Sequence, residues 1–276
     1  MSYKTILVHV DPSPHCEQRV RLAAALAVRH GAHLIGAAMS GISHYIVEDS
    51  NIDFSQMVVA MHVEAMQERA QAALRRFEAI VAEVGVDSWE ARFLNDDPAS
   101  ALTLQARYAD LVVVSQTDGD DASARVTPGL PAYVMLTSGR PVLVVPYAGT
   151  FTSVPTRALV AWDGGMEATR ALSAALPLLS QASAVTLAVF NPGEAHGQQP
   201  GADIALYLAR HGVRVEVSEQ RTSLNIGDAL LSLAADQGSE LIVMGGYGHT
   251  RLRELLLGGV TETILRSMTV PVLMAH

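Results

Sequence analysis

A glycine-rich run in the second half of the chain has the composition of a phosphate-binding loop. It reads Gly-Gly-Tyr-Gly-His-Thr from Gly245 onward, and two further glycines follow at 258 and 259. Glycine lets the backbone approach a phosphate closely, and the first turn of a helix supplies unused N–H groups and a positive dipole end. A helical pattern begins at residue 260. The predicted phosphate contacts are the backbones of Gly248, Gly258, Gly259 and Val260, with the side chains of His249 and Thr261 assisting.

Each of these residues also has a simpler interpretation. The glycines could serve only as tight turns, and His249 could be a solvated loop residue. Asp163, at the end of an apolar run in the same half, could be the N-cap of the next helix rather than a ligand contact, since aspartate is a preferred N-cap. Three glycines at this spacing exceed what a turn needs, so we favour the phosphate loop.

The elements that would position this loop occur twice along the chain. Thr5–Asp11 matches Arg157–Asp163 at an offset of 152 residues, and each is a short apolar run that ends at an aspartate before a helical pattern. Two later pairs of apolar runs repeat at an offset of 130, so the first copy holds about 22 additional residues, which we place near Ser43–Met66. Met57–Val84 reads as one long amphipathic helix, either a lengthened surface helix or a lid that binds a partner.

Each copy is predicted to alternate five strands with four helices. Strands that are apolar on both faces and separated by helices indicate a parallel sheet covered on both sides. The predicted fold class is α/β, with two tandem copies of an open, mostly parallel five-stranded sheet with helices on both faces, assigned to residues 1–150 and 151–276. Ligands of such sheets bind at the carboxyl ends of the strands, where Asp11 and Asp163 stand.

The glycine spacing resembles the ATP-binding pattern of the universal stress protein family, G-x2-G-x9-G-[S/T]. The resemblance extends to Leu-Leu-Leu-Gly before the turn, Val-Thr after it and Pro-Val-Leu in the last strand, and with the strand-terminal aspartates it covers nearly the whole chain. It implies a tandem two-domain member with a Rossmann-like, adenine nucleotide alpha hydrolase-like fold. It also implies that Asp163 contacts adenosine, that the backbone of Val189 contacts adenine, and that ribose and phosphates lie on Gly245, Gly248, Gly258 and Gly259.

Two departures from the family pattern shape these expectations. Gly259 stands where the family's ATP binders carry Ser or Thr, and the missing hydroxyl removes a hydrogen bond of about 0.5–1.5 kcal/mol. The expected ligand is ATP, with ADP or AMP as candidates for tighter binding, with or without Mg²⁺. In the first copy, Ser115, Asp118 and Pro128 take the places of motif glycines, and three nearby aspartates would repel a triphosphate. We therefore expect nucleotide binding in the second copy.

Composition argues against several other classes of protein. The net charge is -9 and the 19 lysines and arginines form no dense basic run, so neither nucleic-acid nor membrane binding is expected. A single cysteine, no signal-peptide pattern and no long apolar stretch favour a cytoplasmic location. Metal-ligand spacing, a nucleophile elbow and a Walker pattern do not occur in the sequence, so no metal site or catalytic residue is expected, and any ATP hydrolysis would be slow.

These observations support two functional hypotheses of different kinds. The leading one is a stress-response protein that binds an adenine nucleotide and signals through unknown protein partners. The alternative is an interaction or scaffold protein of the same fold that needs no nucleotide; an enzyme acting on another small molecule is a weaker third. The family resemblance also implies dimerisation through sheet edges, which the two copies could satisfy internally as a pseudo-dimer, with a homodimer of two chains also open.

Overall fold

The first half of the chain alternates strands and helices as the repeat predicts. The computed structural model describes residues 2–41, 55–120, 129–193, 199, 201–247 and 259–276. The strands of the first half are β1 (Thr5–Val10), β2 (His33–Met39), β3 (Trp89–Leu94), β4 (Leu111–Ser115) and β5 (Val142–Val145). Its helices are α1 (Cys16–His30), α2 (Ser55–Val84), α3 (Pro98–Ala106) and α4 (Leu130–Thr137).

The second half follows the same order of elements. Its strands are β6 (Arg157–Ala161), β7 (Ala184–Phe190), β8 (Val215–Gln220), β9 (Leu241–Gly245) and β10 (Val272–Ala275). Its helices are α5 (Met166–Leu179), α6 (Ala202–Arg210), α7 (Ile226–Asp236) and α8 (Val260–Ser267). The mostly parallel α/β class predicted from the sequence is confirmed.

The first compact unit comprises Ser2–Arg140 with Thr150–Val154. Its strands are parallel in the order β3-β2-β1-β4. Val8, in the centre of β1, pairs with Gly36 of β2 on one side and Val113 of β4 on the other. Strands in this position are buried on both faces, which accounts for their continuous apolar sequences. Because β1 and β4 are neighbours, the residues that follow them lie side by side at the carboxyl edge.

The second compact unit comprises Pro141–Gly149 and Pro155–His276. Its strand order is β5-β10-β9-β6-β7-β8, parallel throughout except for β5, which pairs antiparallel with β10 through Leu143 and Leu273. By sequence β5 is the last strand of the first repeat, yet its contacts place it in the second unit. The last strands of the two repeats are therefore hydrogen-bonded to each other.

Helix α2 confirms the long helix predicted for this part of the chain. Leu74, Phe77 and Ile80 of its apolar stripe are buried. The ring of Phe77 lies on Gly36 of β2, where an added Cβ would be 2.6 Å from the ring, so α2 packs against the sheet through a position that needs glycine. Of the segment near Ser43–Met66 where we placed the additional residues, residues 43–54 lie outside the described residues, and the rest belongs to α2. The lid alternative for this helix stays a prediction.

Candidate functional site

The turn after β6 places Asp163 at the carboxyl edge of the second unit. Its Oδ1 accepts a hydrogen bond from the backbone N–H of Gly165 at 2.8 Å. Gly165 is the N-cap of α5, and no side chain caps this helix. The interpretation of Asp163 as the N-cap is therefore wrong: its carboxylate closes the turn before the helix. The residue is exposed, so a charged acceptor stands at the end of the strand.

Gly245, the last residue of β9, lies directly beneath the start of α5. A Cβ at this position would be 2.6 Å from the backbone nitrogen of Ala168 and 2.8 Å from the carbonyl carbon of Glu167. Atoms do not approach this closely, so any side chain here would force the helix away from the strand. Packing alone therefore requires glycine at this position, and contact of Gly245 with a ligand stays a prediction.

The loop that leaves β9 is held at its entrance by three hydrogen bonds. The N–H of Gly246 donates to the carbonyl of Ala275 at 2.9 Å, and Nδ1 of His276 lies 3.0 Å from the carbonyl of Gly246. The N–H of Tyr247, a residue with φ of 55°, donates to Oγ1 of Thr261 at 3.1 Å. Thr261 is buried, and its hydroxyl joins the loop to the first turn of α8. From the sequence we expected this hydroxyl to assist in binding phosphate, and its hydrogen bond to the loop was not predicted.

The helix predicted to start at residue 260 is confirmed as α8, with Gly259 as its N-cap. Gly259 has extended backbone angles and supplies no side-chain cap. The N–H groups of the first turn have no acceptor within the helix, so a helix that starts in this way offers donors to an anion. Of the remaining predicted contacts, Gly248, His249 and Gly258 lie outside the described residues.

The neighbouring strand β7 leads to an open cleft that the sequence did not indicate. Val189, one residue before the end of β7, is fully buried and pairs with Glu219 of β8. Asn191 follows with φ of 46°; its Oδ1 accepts from the N–H of Thr222 at 2.9 Å and its Nδ2 donates to the carbonyl of Thr222 at 3.0 Å. The cleft measures about 450 Å³ and is lined by Asn191, Pro192, Arg221, Thr222 and Ser223. The one signal in the sequence was an asparagine directly after a strand.

The equivalent edge of the first unit is occupied by an arginine. Arg19 is a residue of α1 whose side chain is 1% exposed. Its Nε donates to the carbonyl of His9 at 2.7 Å and its Nη1 to Oγ of Ser115 at 2.5 Å. Its Nη2 lies 3.0 Å from Oδ1 of Asp11, which is within ion-pair distance but without the alignment of a hydrogen bond. Asp11 also accepts from the N–H and the hydroxyl of Ser13, at 3.1 and 2.6 Å.

Burial and charge shift the pKa values of this cluster. Burial lowers the pKa of His9 to about 4, an effect that the nearby Asp11 carboxylate opposes and the Arg19 guanidinium reinforces. Burial acts to raise the pKa of Asp11, but Arg19 and His9 outweigh it and hold that pKa well below its usual range. Burial likewise acts to lower the pKa of Arg19, and Asp11 more than offsets it. At neutral pH the cluster therefore contains an arginine cation, an aspartate anion and a neutral histidine.

A second contact between side chains lies at the same edge. Nε2 of His15, the N-cap residue of α1, lies 2.9 Å from Oδ2 of Asp118, and each side chain is about one-fifth exposed. Asp118 takes the place of a motif glycine in the degenerate loop. Asp118, one of the three loop aspartates expected to repel a triphosphate, is thus paired with an imidazole of the chain itself, as Asp11 is paired with Arg19. That the first copy does not bind nucleotide stays a prediction.

Within the described ranges, no three His, Cys, Asp or Glu side chains converge in a way that could hold a metal ion. None of the helices in those ranges combines the length and apolarity needed to cross a lipid bilayer.

Known proteins resemble this chain in sequence and in fold. The universal stress protein family model matches residues 2–146 and 156–276. A universal stress protein of Synechocystis sp. is 24% identical over 290 residues, covering 98% of this chain and 99% of that protein. A universal stress protein of Methanocaldococcus jannaschii is 41% identical over 46 residues, which make up 17% of this chain and 28% of that protein. The crystal structure of a universal stress protein from Archaeoglobus fulgidus shares the fold, with a TM-score of 0.74 at 17% identity over 98% of this chain and 95% of that one.

Proposed function

The chain belongs to the universal stress protein family, and we propose that its second repeat, residues 151–276, binds an adenine nucleotide and signals through protein partners. The observation that carries this proposal is the carboxyl edge of the second unit. There the exposed carboxylate of Asp163 follows β6, and the helix α8, whose N-cap Gly259 has no side chain, starts at Val260 after the neighbouring strand β9.

These two features suit the two ends of a nucleotide. An aspartate accepts hydrogen bonds from the hydroxyl and amino groups of a nucleoside. The first turn of a helix binds phosphate through N–H groups and its dipole, with no basic side chain required. Since β6 and β9 are paired, both features lie at one edge of the sheet, at the switch point where such folds bind ligands. Val189, proposed to contact adenine through its backbone, lies near the end of β7, the next strand.

The residues at the start of α8 favour a ligand with few phosphates. Gly259 has no hydroxyl to donate, and the hydroxyl of Thr261 accepts from Tyr247. The O–H of Thr261 stays available to donate, since its oxygen only accepts in this bond. With no hydroxyl at Gly259, the other phosphate donors are backbone N–H groups, and we expect AMP or ADP to bind at least as tightly as ATP. Mg²⁺ would be bound with the phosphates of ATP or ADP rather than at a separate protein site.

Isothermal titration with ATP, ADP and AMP tests the proposal, on protein shown to be free of carried-over ligand. We expect one site per chain. Asp163→Asn should weaken binding by about 10- to 150-fold, the loss of one charged hydrogen bond. Asp236→Asn is the matched control, because Asp236 is exposed and ends α7, a helix that runs away from the carboxyl edge. Gly248→Glu should abolish binding without unfolding the protein.

Absence of binding at millimolar nucleotide would contradict the proposal. So would a loss of affinity in Asp236→Asn equal to that in Asp163→Asn, because the effect would then come from net charge and not from the site. Preserved circular dichroism spectra for each variant separate a lost site from a lost fold.

A nucleotide-independent scaffold of the same fold is the second candidate. The observation that favours it is the first repeat, whose strand-end aspartate is paired with the chain's own Arg19. In this hypothesis the two repeats form a pseudo-dimer through β5 and β10. Two chains that paired as a cytoplasmic homodimer would then do so through surfaces other than these two strands. Folded protein that gives no heat with any adenine nucleotide, together with a concentration-independent mass in sedimentation, would favour a monomeric scaffold.

A further inference from the structure

The acceptor cluster around Arg19 has the form of a binding site for a planar cation. Three acceptors surround the guanidinium: the carbonyl of His9, the hydroxyl of Ser115 and the carboxylate of Asp11, at 2.7, 2.5 and 3.0 Å. They come from the ends of two neighbouring strands and the turn after the first. A guanidinium is planar, weakly hydrated and able to donate in several directions at once, so it suits such a divergent set of acceptors.

The second repeat lacks this cluster although it keeps the aspartate. At the repeat offsets, Ala171 stands in the place of Arg19 and Gly245 in the place of Ser115. Ala171 is fully buried, and at Gly245 the backbone of α5 leaves no room for a side chain. The aspartate turn is shared by the two repeats, whereas the cation and its partner hydroxyl occur only in the first.

We propose that Arg19 is an intramolecular occupant of the strand-end site of the first repeat, and that it keeps Asp11 from any external ligand. The pair of His15 and Asp118 holds the loop after β4 against the start of α1 and closes the same edge. Arg19 thereby determines that ligand binding is confined to the second repeat. This last consequence rests on the proposed function, whereas the occupancy itself does not.

Chemical rescue tests the occupancy. Arg19→Ala should lower the melting temperature by roughly 6 °C or more, because it leaves Asp11 without its cation. Guanidinium chloride at about ten times its dissociation constant for the vacated site should then raise the melting temperature by about 3–6 °C. Wild type and Arg29→Ala are the matched controls, since Arg29 is an exposed arginine of the same helix, and neither should be stabilised.

The rescue has a clear negative result. An unchanged melting temperature in Arg19→Ala, or the same guanidinium response in all three proteins, would overturn the proposal. If Arg19→Ala is unfolded in sodium chloride, the comparison becomes recovery of the circular dichroism spectrum on adding guanidinium, and absence of recovery overturns it. Arg19→Lys should remain less stable than wild type, because an ammonium group keeps the charge but cannot reach all three acceptors.

Nucleotide stoichiometry separates this proposal from the proposed function. We expect one site per chain in wild type and none in Gly248→Glu. Two sites in wild type, one of which survives in Gly248→Glu, would overturn the confinement by Arg19 while the family's nucleotide binding stands. No binding in wild type would overturn the proposed function and leave the guanidinium result intact.

Discussion

Asp11 and Asp163 occupy equivalent positions in the two repeats, yet their environments differ sharply. Both accept a hydrogen bond from the N–H two residues ahead, at Ser13 and Gly165 respectively, so the backbone turn is the same. Asp11 is then paired with a buried arginine, whereas Asp163 is exposed. The two repeats therefore share the turn that presents the carboxylate and differ in what faces it.

The helices that follow these two turns, α1 and α5, also pack differently against the ends of the strands. In the first unit the guanidinium of Arg19 lies between α1 and the strand ends, and Ser115 accepts from it. In the second unit glycine at the position of Ser115 lets the backbone of α5 come within contact distance of β9. One repeat fills the space with a charged side chain and the other with a closely packed helix.

Neutralising each aspartate in turn should give the largest difference between the repeats. Asp11→Asn removes the anion that faces a buried guanidinium, and we expect it to lower the free energy of unfolding by about 3–5 kcal/mol. Asp163→Asn keeps an acceptor for Gly165 at an exposed position and should change it by less than about 0.5 kcal/mol. Urea unfolding at pH 7, followed by circular dichroism, measures both. Equal losses in the free energy of unfolding for the two variants would show that the two aspartates do not differ in their contribution to stability.

Lowering the pH should destabilise the fold through His9, which belongs to the buried cluster of the first repeat. Its folded pKa of about 4 lies below the value near 6.5 of an unfolded chain, so the unfolded state takes up the proton first. The contribution of His9 is therefore complete above about pH 6.5 and is lost as the pH falls toward 4, by roughly 3 kcal/mol in total.

The check is the pH dependence of urea unfolding from pH 7 to pH 4 in wild type and His9→Gln. The variant should lose less stability over this range. His211→Gln, in the second unit, serves as the control and should follow wild type. If the free energy of unfolding of His9→Gln falls with pH as steeply as that of wild type, groups other than His9 cause the loss of stability in acid.

Exchanging the residues at the ends of β4 and β9 should give smaller effects. Gly245→Ser introduces a Cβ against the backbone of α5 and should cost about 1–3 kcal/mol. Ser115→Gly removes one acceptor from Arg19 and should cost about 1–2 kcal/mol. Thermal melts of both variants measure these losses. A neutral Gly245→Ser would show that α5 can move away from β9 freely, and the packing explanation of this glycine would fail.

Most of the fold could be predicted from the sequence because it depends on local patterns. Apolar runs such as Leu111–Ser115, which recur at fixed offsets, predict buried parallel strands, and a glycine before a periodic stretch predicts the start of α8 at Val260. These features need no knowledge of distant contacts.

The parts that escaped prediction depend on contacts between distant residues. Arg19 and Ser115 are 96 positions apart, and an arginine in an apolar helix face gives no sign of its partner. The requirement for glycine at residue 245 comes from a helix 77 positions earlier at Ala168. The N-cap alternative for Asp163 arose because aspartate suits both a cap and a turn two residues before it.

The antiparallel pairing of β5 with β10 has a consequence for how the chain is made. About 125 residues separate the two strands, so β5 leaves the ribosome roughly 6–25 s before its partner at ordinary rates of synthesis. During that interval the edge of β5 that β10 will cover offers unpaired N–H and C=O groups to any other nascent strand. A truncation that removed β10 would make this temporary exposure permanent.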